Sequence, residues 1–60
     1  MNYWIVEYQN YLGQWRVAHD TNGNYALFVE REHAVAFMDR LDYSHVRVVQ
    51  LLGTVVRVLP

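Results

Sequence analysis

The chain has 60 residues, of which 53% are hydrophobic, and its formal net charge is −1 with the histidines neutral. This length allows a single domain, 1–60, which buries only about 60% of the surface of its unfolded chain. The absence of cysteine excludes disulfides and thiolate metal sites, and the lack of a basic excess argues against a general nucleic-acid binder, whose affinity depends on phosphate contacts.

The N-terminal part of the chain predicts two antiparallel strands. "YWIVEY" at residues 3–8 is aromatic and β-branched, which favours a strand with Trp4, Val6 and Tyr8 on one face. "QNYLGQ" supplies turn residues, and "WRVAH" at residues 15–19 then alternates apolar and polar side chains. We expect these two segments to pair.

A hairpin turn and a third strand are predicted next. In "DTNGN" the pair Asn22-Gly23 tolerates positive φ, which favours a tight hairpin turn. "YALFV", from Tyr25 to Val29, is short and β-prone, so it predicts a short third strand after the turn.

The segment "EREHAVAFMDRLD", residues 30–42, changes to helical periodicity. Its apolar side chains at spacings of three, four and seven form one stripe: Ala34, Phe37, Met38 and Leu41. No Ser, Thr, Asp or Asn directly precedes the segment, so the predicted helix lacks a favourable N-cap.

The remaining segment, "VRVVQLLGTVVRVLP", would place apolar side chains on both faces of a strand. It predicts either two strands joined at Gly53-Thr54 or one long strand with a bulge at Gly53. One face would receive the helix through Val49, Leu51, Val56 and Val58. The other face would mediate self-association through Val46, Val48, Leu52, Val55 and Leu59. The predicted fold is α+β, in the order β-β-β-α-β with a possible C-terminal hairpin, and one helix packed on one sheet face.

Residues suited to catalysis or metal binding are scattered along the chain. His19, His33 and His45 fall on different predicted elements, whereas zinc needs three or four converging ligands. Ser44 and His45 are adjacent, so on a strand they would point to opposite faces. We therefore expect no enzyme activity, no metal and no cofactor.

The surplus of aromatic and apolar residues predicts a protein-binding surface, since large apolar patches are uncommon on monomers. The candidate partner-binding residues are Tyr11, Trp15, Arg16, Tyr25, Arg47 and Arg57. Because so short a chain needs cover for a two-sided apolar sheet, we also expect a homodimer. The alternative is binding of nucleic acid or a small nucleotide by the sheet arginines and aromatics. No stretch approaches the roughly 20 apolar residues of a membrane helix and no signal peptide is evident, so we expect a cytoplasmic protein.

The succession of "YWIVEY", "GQWRV", "LFVEREHAVAFMDRL" and "VRVVQL" resembles a broad group of very short bacteriophage-encoded accessory proteins. The resemblance implies a non-catalytic inhibitor that occludes a host or defence protein by stoichiometric binding. Some members of the group instead sequester a signalling nucleotide. The group shares no common site, so the resemblance assigns no role to a particular residue. The net charge of −1 argues against the strongly acidic DNA mimics within it.

Overall fold

The computed structural model describes residues 2–51 and contains three strands and one helix. The elements are β1 (Tyr3–Gln9), β2 (Trp15–Val17), α1 (Arg31–Asp39) and β3 (Val46–Leu51). The predicted alternatives around Gly53, a hairpin or a bulged strand, lie outside the described residues.

The three strands form one antiparallel sheet in the order β2-β1-β3. β1 is central: it pairs with β3 from Tyr3↔Leu51 to Tyr8↔Val46, and with β2 at its C-terminal end. With α1 packed against β1 and β3, the predicted α+β fold is confirmed.

Two loops with the same hydrogen-bonding pattern connect the elements before the helix. In the first, the Asn10 side chain accepts hydrogen bonds from the N–H groups of Leu12 and Gln14, both at 2.9 Å. In the second, the Asp20 side chain accepts from Asn22 and Asn24 at 2.9 and 3.0 Å. Each loop has a glycine at its fourth position with positive φ, 81° at Gly13 and 86° at Gly23. The predicted turn at Gly23 is therefore present, as a five-residue loop rather than a two-residue one.

The segment 25–29, predicted as a third strand, does not form a continuous strand. It pairs at two isolated bridges, Tyr25 with His19 and Phe28 with Trp4. β2 and the following residue already occupy this edge of β1, because the N–H of Ala18 donates to the carbonyl of Val6 at 2.8 Å. Only the beginning of β1 remains free for Phe28, so the ladder cannot extend.

The helix begins and ends close to the predicted positions, and its apolar stripe forms the core. Glu30 is the N-cap in an extended conformation without a side-chain capping bond, as the sequence predicted. Ala34 is fully buried and clusters with Val6 and Ala18. Around them pack partly buried side chains from the helix, the sheet and the connecting segments: Trp4, Tyr8, Phe28, Phe37, Met38, Leu41 and Val48.

The predicted assignment of the two faces of β3 is wrong. Val48 pairs with Val6 and packs against the core cluster, so it lies on the helix side of the sheet, and alternation puts Val46 there too. Val49 and Leu51, predicted to receive the helix, lie on the opposite side. Because β3 is apolar at consecutive positions, its pattern did not distinguish the faces. The other predicted self-association residues lie outside the described part of the chain: Leu52, Val55 and Leu59.

Candidate functional site

The sheet face opposite α1, here called the open face, carries the candidate site. Strand alternation and the observed register place the following side chains on it: Tyr3, Ile5, Glu7, Gln9, Trp15, Val17, Arg47, Val49 and Leu51. Ile5 is buried, whereas Trp15 and Arg47 are exposed. This face therefore combines apolar side chains with a small polar cluster.

The polar cluster consists of Glu7, Arg47 and Trp15, one residue from each strand. Arg47 lies directly opposite Glu7 in the β1–β3 ladder, and its Nε donates to Glu7 Oε1 at 2.7 Å. The same guanidinium lies over the Trp15 ring, with 3.9 Å between Cζ and the ring centroid. Arg47 thus extends from β3 across β1 to β2.

The environment of this cluster makes its contacts firmer than those of a typical surface pair. The Glu7 side chain is only 19% exposed, whereas that of Arg47 is 49% exposed. Reduced solvent access around the carboxylate weakens screening of the ion pair. A guanidinium held by a carboxylate and stacked on an indole also loses little conformational freedom when a partner binds.

A second group of predicted site residues lies at the β2 edge of the sheet. Trp15, Arg16 and Tyr25 line an open depression of about 320 Å³. The Tyr25 ring packs against the His19 ring at an interplanar angle of 33°, with ring centroids 4.7 Å apart. Arg16 pairs with Tyr8 in the ladder, so its side chain projects from the face opposite to Trp15.

The remaining predicted site residues are more dispersed. Tyr11 lies in the Asn10 loop and is 95% exposed. It lines a different groove, which does not include the Glu7–Arg47–Trp15 cluster. That groove, about 600 Å³, also contains Tyr8 and Tyr43. Arg57 lies outside the described residues. The structure therefore brings Trp15 and Arg47 together, and places Tyr11 elsewhere.

The sequence analysis missed two features of these surfaces. Glu7 was not predicted as a site residue, and its role depends on lying opposite Arg47, 40 residues away. Tyr43 comes four residues after the end of the helix and stacks on Tyr8 with ring centroids 4.2 Å apart. An acidic residue in an aromatic strand and a tyrosine after the helix were the available signals.

Neither a metal site nor a membrane-spanning helix is found within residues 2–51. No group of three or more His, Cys, Asp or Glu side chains in this part of the chain is arranged to hold a metal ion. Within the same residues, no helix has the length and apolarity needed to cross a membrane. Comparison of the chain with protein-family models, curated protein sequences and solved structures finds no match.

Proposed function

We propose that this chain is a non-catalytic protein-binding module that contacts its partner through the open face. The observation that carries the proposal is the Glu7–Arg47–Trp15 cluster within an apolar sheet surface. Tryptophan and arginine are the residue types most enriched among those that dominate binding energy at protein interfaces. Here the two are already in contact, at the end of the face where all three strands pair.

The surroundings of the cluster suit a protein partner. Val17 and Val49 lie on the same face and are only partly buried. An interface typically has an apolar core with a few well-placed polar groups, and this arrangement provides both. The guanidinium Nη groups of Arg47 can donate to carboxylate or carbonyl oxygens of a partner while Nε stays bonded to Glu7.

Nucleic-acid binding is the alternative, and the same geometry argues against it. Glu7 offsets the charge of Arg47, and the guanidinium covers one face of the Trp15 ring. A base could stack on that face only by displacing Arg47, and a phosphate would approach close to a carboxylate. A protein partner does not require either change.

The biological setting of the proposal follows from the resemblance to short phage proteins. We infer an inhibitor that acts in the cytoplasm and occludes a host or defence protein by stoichiometric binding. Self-association is part of the proposal, with the open face replacing the surface first assigned to it. In a homodimer Trp15 and the partly buried apolar side chains of this face would be covered by those of a second copy.

A photo-crosslinking experiment tests the proposal. A photoreactive amino acid is placed at Val17 on the open face, or at Glu32 on the exposed side of α1 as the matched control. In lysate of the cells that naturally make the protein, we expect a discrete adduct from position 17 that excess unlabelled protein abolishes. Trp15→Ala should weaken binding of the identified partner at least about tenfold.

Three outcomes would contradict or redirect the proposal. Equal adducts from positions 17 and 32 would show that the open face is not a specific surface. Adducts only with the protein itself would reduce the function of the face to self-association. Salt-sensitive binding of single-stranded oligonucleotides that is lost in Arg47→Gln would favour the nucleic-acid alternative.

A further inference from the structure

A second surface, here called the tyrosine groove, lies where the end of β1 meets the segment between α1 and β3. It is an open groove of about 600 Å³ lined by three tyrosines together with Asp42, Ser44 and His45. This volume lies within the range of small-ligand sites. The backbone closes the groove at one end, where the N–H of Gln9 donates to the carbonyl of His45 at 3.0 Å.

Two tyrosine rings of the groove, Tyr8 and Tyr43, are held in place by packing on the core. Tyr8 packs against the core cluster, and Tyr43 stacks on Tyr8 with an interplanar angle of 22°. Tyr43 is 46% exposed, so the ring face turned away from Tyr8 is accessible. Tyr11, almost fully exposed, lines the same groove from the tip of the Asn10 loop, whose backbone is fixed by the Asn10 side chain. The groove therefore offers aromatic faces on a supported base.

The charge of the groove determines the class of ligand. Among residues 2–51, Asp42 is the one acidic residue that lines the groove, and no arginine of this range lines it. An anionic ligand such as a phosphate would meet this carboxylate and no arginine from the described part of the chain. A cation would interact favourably with both the tyrosine π-faces and the carboxylate. Among cations, a guanidinium is planar, stacks on aromatic rings and pairs with carboxylates.

We propose that the tyrosine groove binds an arginine side chain of the protein partner, with the guanidinium stacked on Tyr43 and paired with Asp42. This proposal rests on the proposed function, because it assigns a second contact to the same partner. Gln9, at the end of β1, lies on the open face and also lines the groove, so the two surfaces adjoin at this end of the sheet and one partner segment can contact both. The chemistry of the contact is specific: it requires positive charge and planarity.

The test is a titration of the ¹⁵N-labelled protein with a capped tripeptide, Gly-Arg-Gly, monitored by NMR. The matched control peptide carries citrulline, which has the same shape as arginine and no charge. We expect amide shifts at residues 8–11 and 42–45 with millimolar affinity for the arginine peptide, and at least about fivefold weaker binding of the citrulline peptide. Raising the salt concentration should weaken binding of the arginine peptide and leave binding of the citrulline peptide unchanged.

Two exposed-site variants assign the contact. Asp42→Asn and Tyr43→Leu should each lower the affinity of the arginine peptide about two- to fivefold, and the spectrum of each variant reports directly whether it is folded. Glu32→Gln, on the exposed side of α1, also removes a carboxylate and should leave this affinity unchanged. Shifts of equal size with both peptides, or no shifts at about 20 mM peptide, would overturn the proposal.

The two proposals can fail separately. If the arginine peptide does not bind but position 17 still crosslinks to a partner, the groove proposal is wrong and the proposed function stands. If the peptide binds in the groove but position 17 gives no adduct, the proposal that the open face binds the partner is wrong. The groove is then an independent site for arginine-containing peptides.

Discussion

The Glu7–Arg47 ion pair gives the most direct test of the structural reasoning. We would replace Glu7 with Gln, Arg47 with Gln, and both together, and measure the free energy of unfolding of each variant. Glutamine keeps the shape of Glu7 without its charge, and it replaces Arg47 with a shorter, neutral polar side chain. The double-mutant cycle isolates the energy of the pair from other effects of each substitution.

The expected coupling energy follows from the geometry of the pair. Exposed ion pairs contribute about 0.2–1 kcal/mol. The 2.7 Å separation and the low exposure of Glu7, 19%, place this pair at the upper end of that range, at about 1 kcal/mol. Arg47→Gln should cost more than Glu7→Gln, because it also removes the contact with the Trp15 ring, which contributes about 0.5–1 kcal/mol.

The assay is urea unfolding at pH 7 and low salt, followed by tryptophan fluorescence. The matched control is a second cycle on Glu30 and His33, whose side chains are 62% and 70% exposed and whose Oε2 and Nε2 atoms are 3.7 Å apart. That control should give a coupling below about 0.3 kcal/mol. A value equally small for Glu7 and Arg47 would mean that the pair does not order the open face in solution, and the argument for a preorganised binding surface would fail.

Three further predictions concern the core, a loop and the assembly. Val6→Ala should destabilise the domain by about 2–3 kcal/mol, because Val6 is fully buried and its neighbours Ala18 and Ala34 cannot fill the space; a urea midpoint within error of the wild type would contradict this. Gly23→Ala should cost about 1 kcal/mol in thermal unfolding and Gly23→Asn less, since φ is 86° and nothing lies within 4 Å of an added Cβ. An equal cost for both would refute the backbone explanation. Light scattering should give a multiple of 7.2 kDa that Trp15→Ala reduces, whereas 7.2 kDa at every concentration would exclude the homodimer.

The arrangement of strands, turns and helix could largely be predicted, because the local signals agree with one another. The change from period two to period 3.6 located the helix, and its stripe at Ala34, Phe37 and Met38 is the one that packs in the core. The loop at Asp20 was found through its Asn-Gly pair. In the loop at Asn10 the amide oxygen of Asn10 takes the place of the Asp20 carboxylate, and glycine again follows three residues later, a spacing that identifies both loops.

The faces of β3 and the segment 25–29 could not be predicted, because both depend on contacts distant in sequence. Val48 and Val49 are equally apolar, and only pairing with β1 determines which one meets the helix. Likewise, "YALFV" has the composition of a strand, but β2 already occupies most of the edge that it would need. The strand propensity of residues 25–29 is not realised there, because β2 and Ala18 already pair with that edge of β1.

The candidate site could likewise be predicted only in part, because some of its features depend on contacts between residues distant in sequence. Trp15 and Arg47 were predicted from residue type alone, since both types are frequent at interfaces. Their contact, and the participation of Glu7, require the register that sets Glu7 opposite Arg47. The tyrosine groove could not be predicted either, because it joins β1 to a connection more than 30 residues later in the chain. Residue chemistry was visible in the sequence, whereas proximity was not.

The central position of β1 has a consequence for how the protein is made. Tyr3 and Leu51 are partners in the ladder, so β1 leaves the ribosome well before β3, the strand that pairs with its second edge. Closing this long loop is an entropic cost that local contacts do not offset, which makes pairing of β1 with β3 the expected slow step of folding. During that interval β1 has an unpaired edge with the sequence "YWIVEY", which can pair with another chain. A nascent chain arrested before residue 46 should therefore depend on chaperones far more than one released after residue 51.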